Sequence, residues 1–587
     1  MNVNSNNTQT CFVSTLARLR VSSKDAVVSA DANTVDPYTR YMHVERPVQE
    51  EFVSIVNKAA ETDHAELILL CGSVGDGKSH MLSYCKAEYP DKMNKFYIHN
   101  DSTASFYVDK PASYTLLKIM DDFSDDKIED SKKKVILAIN LGTLSNFLDS
   151  DVENRFTKFT KYITDSGILD DSLGMSVENE YFHSVNFADY HLYELRKNET
   201  QSKYTKGILA KITASTQDNV FYTSYCANCQ NCVSKDICPV KANYELLQKS
   251  EIQQGIIDSI IESIIKNKQI VSTRTLLNMI YEILVDEGKW NRGSLEPRKE
   301  PAKLNSVSYC ESLLPNILFG KKNASEILDA IGLVDPMRIR NEKVDDFMVF
   351  FENTDEIIKI FKDTLPEYSY LIEGFSGDDF SEKAMYKVRK MILQLYIRLC
   401  WLSKKRSDLL PADEDYQEYV KALYAWNVGD HQGLNAVYKI VENGVLSWNG
   451  QVSKNEMQLS INGKKTEYRL YQNIQIKRIA NNLGSQKQGE LNSFKDELRL
   501  KYRYSGNKEA EIDVDFALFS LLKKVVRGYV PSLTDKKINV KCVEFINCIA
   551  NGGSKMEQII IRNQVQKEVR EYHLSYEDGF GYSFEEE

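Results

Sequence analysis

Gly72-Ser73-Val74-Gly75-Asp76-Gly77-Lys78-Ser79 fits the spacing G-x-x-x-x-G-K-[ST], which suits a backbone that wraps a polyphosphate. Glycines let the chain turn around an anion without Cβ clashes, so that successive N–H groups face inward. Lys78 would then reach the β- and γ-phosphates of ATP as a point charge, and the Ser79 hydroxyl would ligate Mg²⁺. Asp76 is the one acid in this loop, and its side chain is expected to point outward to solvent. The implied cofactors are ATP and Mg.

Hydrolysis asks for more than a cradle, because an acid at the end of a neighbouring strand usually holds Mg²⁺ and orients the attacking water. The stretch VILAIN ends instead at Asn140, a neutral side chain that can hydrogen-bond water or phosphate and cannot act as a base. Asp101 and Asp189 are possible substitutes. The pair Asp121-Asp122 suits an amphipathic helix better than a metal-binding strand end. Asn186 in VNFADY stands where a polar sensor of the γ-phosphate would sit, with an ordinary strand-end residue as the alternative. Arg274 in STRTLLNMIYEIL is the candidate arginine reaching back to the nucleotide from a lid, with a surface salt bridge as its alternative.

A second cluster has metal-ligand spacing: Cys226, Cys229, Cys232 and Cys238 form C-x2-C-x2-C-x5-C before Pro239. Four thiolates without an adjacent His suit either a closed tetrahedral Zn site or a 4Fe-4S cluster, and free thiols are the remaining reading. With either metal, the knuckle would staple an insertion. The other cysteines are expected to pack singly as small apolar residues.

Short apolar runs must position these groups. Glu66–Cys71, Phe96–His99, Val135–Ile139 and Phe182–Phe187 read as strands, separated by segments long enough for crossover helices, which is the pattern of a parallel sheet covered by helices. The glycine-rich run would then lie between a buried strand and the helix HMLSYCKAEY, with the helix N-terminus facing an anion. From Ile252 the texture turns helical: Ile256, Ile257, Ile260, Ile261, Ile264 and Ile265 mark one apolar face, and similar spacing recurs over Leu276–Leu284 and Met391–Leu402, with a polar connection around Pro301. Beyond about residue 440, Asn462-Gly463 between strand-like runs predicts a hairpin, as does Asp578-Gly579 near the end. Residues 481–488, NNLGSQKQ, read as a flexible loop. The expected fold class is an α/β P-loop NTPase domain over 1–250 with a Cys-rich insertion at 226–238, a helical lid or partner region over 251–440, and a β-rich C-terminal domain over 441–587.

Composition limits the partners. The 587 residues carry 74 Lys plus Arg against 84 Asp plus Glu, a net charge of −10, which argues against a freestanding nucleic-acid binder. A local basic patch remains open, with Lys523, Lys524, Arg527, Lys536 and Lys537 as candidates or as a solvated charged face. No apolar run approaches the roughly 18 residues of a membrane span, and the polar N-terminus does not read as a secretory signal. The expected location is cytoplasmic, with thiols kept reduced.

Several stretches together, HVERPVQEEF, LLCGSVGDGKSHML, IHNDSTASF, ILAINLGTL, VNFADYHLYEL, the cysteine knuckle, STRTLLNMIYEIL, DPMRIRNEKVD and DVDFALFSLLKKVVRGYVP, resemble the DptF family over nearly the whole chain. These are the P-loop subunits of bacterial DNA phosphorothioation-dependent restriction systems. The resemblance implies an ATP-binding, ATP-hydrolysing subunit acting with DptG- and DptH-like partners in host defence, meeting DNA through that complex or a local basic patch. Because Asn140 replaces an acid, the alternative is a non-hydrolysing, nucleotide-gated scaffold that assembles the restriction complex.

Overall fold

The computed structural model describes all residues except 1–10, 21–35, 74, 101–111, 152–153, 170–176, 291–305, 322–324, 339–340, 374–381, 451–455, 460–467, 481–482, 505–506, 553–558, 564–570, 578 and 587. Val74, Asp101, Pro301, Asn462-Gly463, Asn481-Asn482 and Asp578 therefore lie outside the described residues. The chain divides into two compact units, Met1–Glu194 with Gln201–Ala412, and Leu195–Thr200 with Asp413–Glu587.

The first unit holds a four-stranded sheet of β1 (Glu66–Cys71), β2 (Tyr97–His99), β3 (Lys134–Ile139) and β4 (Phe182–Asn186), in the order β2-β3-β1-β4 with every pairing parallel. All of β1 is buried, as expected of a central strand covered on both faces. Helices precede, connect and follow these strands: α1 (Phe12–Leu16), α2 (Pro37–Met42), α3 (Pro47–Ala59), α4 (Lys78–Glu88), α5 (Pro90–Met93), α6 (Ala112–Met120), α7 (Leu141–Asp149) and α8 (Thr157–Ser166). Because strand side chains alternate between faces, Ile68, Leu70, Ile136 and Ala138 meet Phe52, Val56, Met81, Leu82 and Met93 of α3, α4 and α5. Leu67, Leu69, Val135 and Leu137 meet Ile119, Phe147, Phe159 and Ile163 of α6, α7 and α8 on the other face. The chain thus leaves β1 toward one face and the adjacent β3 toward the opposite face. That reversal is a topological switch point, the place at the carboxyl ends of the strands where open α/β sheets commonly bind ligands.

The same unit continues with α9 (Lys203–Thr213), α10 (Val220–Cys229), α11 (Pro239–Leu247), α12 (Ser250–Asn267) and α13 (Thr273–Leu284). The isoleucine stripe of α12 is core: Ile252, Ile256, Ile257, Ile260, Ile261 and Ile265 are buried, while Ile264 is half-buried. A longer helix, Glu382–Leu402, carries a buried ion pair in which Arg398 donates to both Asp335 carboxylate oxygens at 3.2 and 2.6 Å and to Asn316 Oδ1 at 2.9 Å.

The second unit begins with helices Glu414–Asn427 and Asn435–Leu446 and is otherwise rich in antiparallel sheet. One sheet orders Lys508–Val514, Leu498–Tyr504 and Ile476–Ile479, and a five-stranded sheet runs Gly581–Glu586, Glu571–Glu577, Ile559–Asn563, Tyr468–Asn473, Glu456–Gln458. The strands on either side of residues 460–467 pair antiparallel, as do the last two strands. Within the loop expected over 481–488, the described residues 483–488 have no regular secondary structure and are tied down at two points. Gly484 N–H donates to Trp426 O at 2.9 Å and Gln486 N–H to Asn427 O at 3.1 Å. The approach is so close that a Cβ on Gly484 would stand 2.3 Å from Asn427 O.

Candidate functional site

The glycine-rich loop spans the gap between β1 and α4, at the switch point. Gly77 is the N-cap of α4 at φ +96°, a conformation that favours glycine, and no side chain caps the first turn. The helix therefore presents the positive end of its dipole and uncapped N–H groups at this edge of the sheet. Gly72 is needed for a different reason: a Cβ there would stand 2.8 Å from Asp76 Oδ2 and 2.9 Å from Phe187 Cβ.

The Asp76 side chain turns into the loop, not outward as its sequence suggests. Its Oδ2 accepts the Ser73 N–H at 2.5 Å, while Lys78 Nζ donates to Ser73 O at 2.7 Å. The short reach between a free backbone donor and a carboxylate explains the inward turn, since a charge-assisted bond satisfies both groups. Arg46, half-buried just before α3, donates from Nη1 to Asp76 O at 3.0 Å, and its guanidinium lies 5.3 Å from the Phe187 ring and 5.1 Å from the Tyr204 ring. Burial raises the Asp76 pKa, against the Ser73 N–H, Lys78 and Arg46, which favour the charged form. Burial lowers the pKa of Lys78, against Asp76 and Cys71. The loop thus combines a cation, backbone donors and an internal carboxylate.

Two asparagines flank it. In register, Cys71 at the end of β1 pairs with Ile139 on one side and Asn186 on the other, and Asn140 directly follows Ile139. Asn140 caps α7, its Oδ1 accepting the Thr143 N–H at 2.7 Å, and among the described residues its amide nitrogen makes no hydrogen bond. Asn186 is buried; its Oδ1 accepts the Ala188 N–H at 3.1 Å and its Nδ2 donates to Asp189 Oδ1 at 3.4 Å. Ser79 is half-buried in the first turn of α4. Asp121 and Asp122 are instead tied into ion pairs with Arg155 at 2.5 Å and Lys133 at 2.7 Å, respectively.

Arg274, remote in sequence, comes to the same place. Helix α13 starts from Ser272 with a capping box to Thr275, and that start lies against the loop. A Cβ on Gly75 would meet Ser272 Oγ at 3.2 Å and Arg274 Cβ at 3.9 Å; one on Gly77 would meet Thr273 Oγ1 at 3.6 Å. Among the described residues the half-buried Arg274 side chain has no ion-pair or hydrogen-bond partner. Sequence reasoning assigned no role to Arg46, Tyr204, Ser272 or Thr273. The Arg46-Pro47 step at the start of α3 is the only local signal for any of them.

Behind the loop, His43 Nδ1 lies 3.1 Å from His80 Nε2 and its ring stacks on Tyr84 with centroids 3.4 Å apart. Burial, followed by the neighbouring charges of His80 and Lys211, lowers the His43 pKa to about 4.

The cysteine knuckle is built from two helix ends. Cys226 and Cys229 lie on α10, Cys232 follows in a turn where its N–H donates to Cys229 O at 3.3 Å, and Cys238 is the N-cap of α11 ahead of Pro239. All four are free thiols, a donor set suited to a thiophilic metal. Among the described residues no three His, Cys, Asp or Glu side chains already form a group able to hold a metal ion.

Of the basic candidates in the second unit, Lys523 is neutralised by Asp415 and Glu418, each at 2.6 Å, whereas Lys524, Arg527 and Lys537 are exposed. Lys536 lies 3.4 Å from Asn449 Oδ1. Among the described residues no helix is long and apolar enough to cross a membrane. Comparison with protein-family models, with curated proteins and with solved structures finds no match.

Proposed function

We propose that this chain binds Mg²⁺·ATP in the loop Gly72–Ser79 and acts as an ATP-hydrolysing subunit of a bacterial DNA phosphorothioation-dependent restriction complex. The observation that carries nucleotide binding is the convergence at one switch point of the glycine-rich loop, an uncapped helix N-terminus, Lys78 and Arg274, which has no partner among the described residues. In this reading Lys78 holds the β- and γ-phosphates, Ser79 ligates Mg²⁺, and Arg274 approaches the phosphates from the start of α13. The Asn140 amide and Asn186 flank the γ-phosphate position as hydrogen-bonding groups. The restriction assignment, the DptG- and DptH-like partners, contact with DNA through them and the cytoplasmic setting rest on resemblance of sequence stretches.

One observation favours the second reading, a nucleotide-gated scaffold without turnover: the residue after β3 is Asn140, whose side-chain oxygen is committed to capping α7. ATP turnover by the purified chain, alone and with partners and DNA, separates the two. Turnover abolished by Lys78→Ala supports the enzyme; tight binding with no turnover under every condition supports the scaffold.

A further inference from the structure

The five-stranded sheet of the second unit carries apolar side chains on both faces, and the described residues bury only one of them. Ile560 and Tyr471, a cross-strand pair, are buried on one side, where Arg562 and Glu456 form an ion pair at 2.7 Å. On the other side Leu574 pairs with Ile559 and Phe584, and Tyr576 with Tyr582. The Tyr576 and Tyr582 rings meet at 4.9 Å and Tyr572 stacks on Phe584 at 5.4 Å, as side chains sharing one face do. Yet Leu574 and Ile559 are only half-buried, Tyr582 and Phe584 are 78% and 61% exposed, and Phe580 in the connecting turn is 90% exposed. Gly581–Glu586 is also the edge strand of this sheet among the described residues. Residues 571–587 hold six acids and no Lys or Arg, and the exposed Glu577 and Glu585 give the aromatic face an anionic border.

A second exposed surface in the same unit has the opposite charge. The six-residue helix Leu533–Ile538 buries none of its side chains. So short a helix is marginal in water on its own, and local bonds hold this one. Ser532 and Asp535 form a capping box, and Tyr529 Oη donates to Asp535 Oδ2 at 2.7 Å. Apolar side chains are thereby held toward solvent: Leu533 is 79% and Ile538 75% exposed, and Val530 and Val540, next along the chain, are exposed too. Residues 523–541 carry six Lys or Arg and one acid. Lys524, Arg527 and Lys537 are exposed and have no ion-pair partner among the described residues.

We infer that these two surfaces bind each other between copies of this chain, the acidic aromatic sheet face of one copy seating on the basic aliphatic helix surface of the next. Each surface supplies what the other lacks: apolar side chains leave water on both sides, and Glu577 and Glu585 complement Lys524, Arg527 and Lys537 at the rim. An aromatic side chain offers about 150–250 Å². The exposed rings and their half-buried neighbours therefore supply most of the about 800 Å² per partner that a stable interface needs. Pairing two identical sheet faces would set acid against acid, which repulsion disfavours. Duplex DNA on the basic surface would engage the cations and leave Leu533 and Ile538 without an apolar partner, because phosphates offer none. Since the contact joins unlike surfaces, it propagates into a ring or a filament according to the rotation per step. This association is independent of nucleotide binding in the loop Gly72–Ser79.

Sedimentation velocity of the full-length chain tests this. The average mass of the wild type should rise with concentration up to about 100 μM. Tyr582→Ser with Phe584→Ser removes the sheet face, and Leu533→Ser with Lys537→Glu removes the helix surface; all four side chains are exposed, so the core is untouched. Each double variant alone should self-associate at least about tenfold more weakly than the wild type. Mixed in equal amounts, the two should form a one-to-one dimer and nothing larger, because each retains the surface that the other has lost. That dimer also shows that both variants are folded. A wild type that stays monomeric, either variant associating alone like the wild type, or a mixture that gives no dimer overturns the inference. Duplex DNA bound by a chain that stays monomeric, and lost on Leu533→Ser with Lys537→Glu, assigns the basic surface to DNA and overturns it as well.

Discussion

On the proposed reading Asp76 stands within the loop that would cradle a phosphate, so replacing it by Asn should strengthen nucleotide binding. Its carboxylate takes the Ser73 N–H at 2.5 Å and lies close enough to Lys78 to oppose the lowering of that amine's pKa. A phosphate oxygen entering the loop meets this negative charge at close range. At an effective dielectric of about 20 and a separation of about 4 Å, the repulsion is about 4 kcal/mol. The loop is half-buried and screened by solvent, which reduces the net penalty to about 1–2 kcal/mol. Asp76→Asn should therefore tighten Mg²⁺·ATP binding by about 5- to 30-fold. The pH dependence follows with a definite sign. Burial favours the neutral acid, so wild-type affinity should fall as pH rises through the raised Asp76 pKa, and this component should vanish in the Asn variant. Isothermal titration calorimetry at constant ionic strength measures both effects. If Asp76→Asn and Asp76→Ala both weaken binding, the carboxylate is part of the ligand site and the reasoning fails.

Asn140→Ala should cost about 1 kcal/mol of stability through loss of the α7 cap, whereas Asn140→Asp keeps the cap and should leave urea midpoints near wild type. His43 is held neutral by burial, with a pKa near 4 against about 6.5 when unfolded, so its contribution is intact above pH about 6.5 and lost as pH falls toward 4. That loss amounts to at most about 3 kcal/mol, and His43→Phe should flatten urea stability across this window. Arg398→Leu strands the Asp335 carboxylate in a buried site and should destabilise by about 3–5 kcal/mol in urea unfolding, while replacing both partners by Leu should recover much of the loss.

All four parallel strands were legible within a residue at each end, because an apolar run flanked by turn-forming polar residues leaves little freedom for a buried strand. The α12 stripe was equally plain from its helical period. What the sequence concealed depends on tertiary approach. The inward turn of Asp76 follows from a loop donor that only the folded loop aims at it. The presence of Ser272 and Thr273 at the loop requires α13 to fold back onto the sheet edge, and no local pattern announces that return. Residues 483–488 read as mobile from their polar composition, yet backbone hydrogen bonds to the helix end at Trp426 and Asn427 hold them. Propensity reports the cost of ordering a segment and does not report the partners that meet it.

The most direct test of nucleotide binding is calorimetric titration of the full-length chain with Mg²⁺·ATP beside its Lys78→Ala variant. The account predicts saturable, one-to-one binding to the wild type and a loss of at least about tenfold in the variant, since a charged hydrogen bond at a half-buried phosphate is worth about 1.5–3 kcal/mol. No saturable binding to the wild type, or equal affinity in the two proteins, would contradict it.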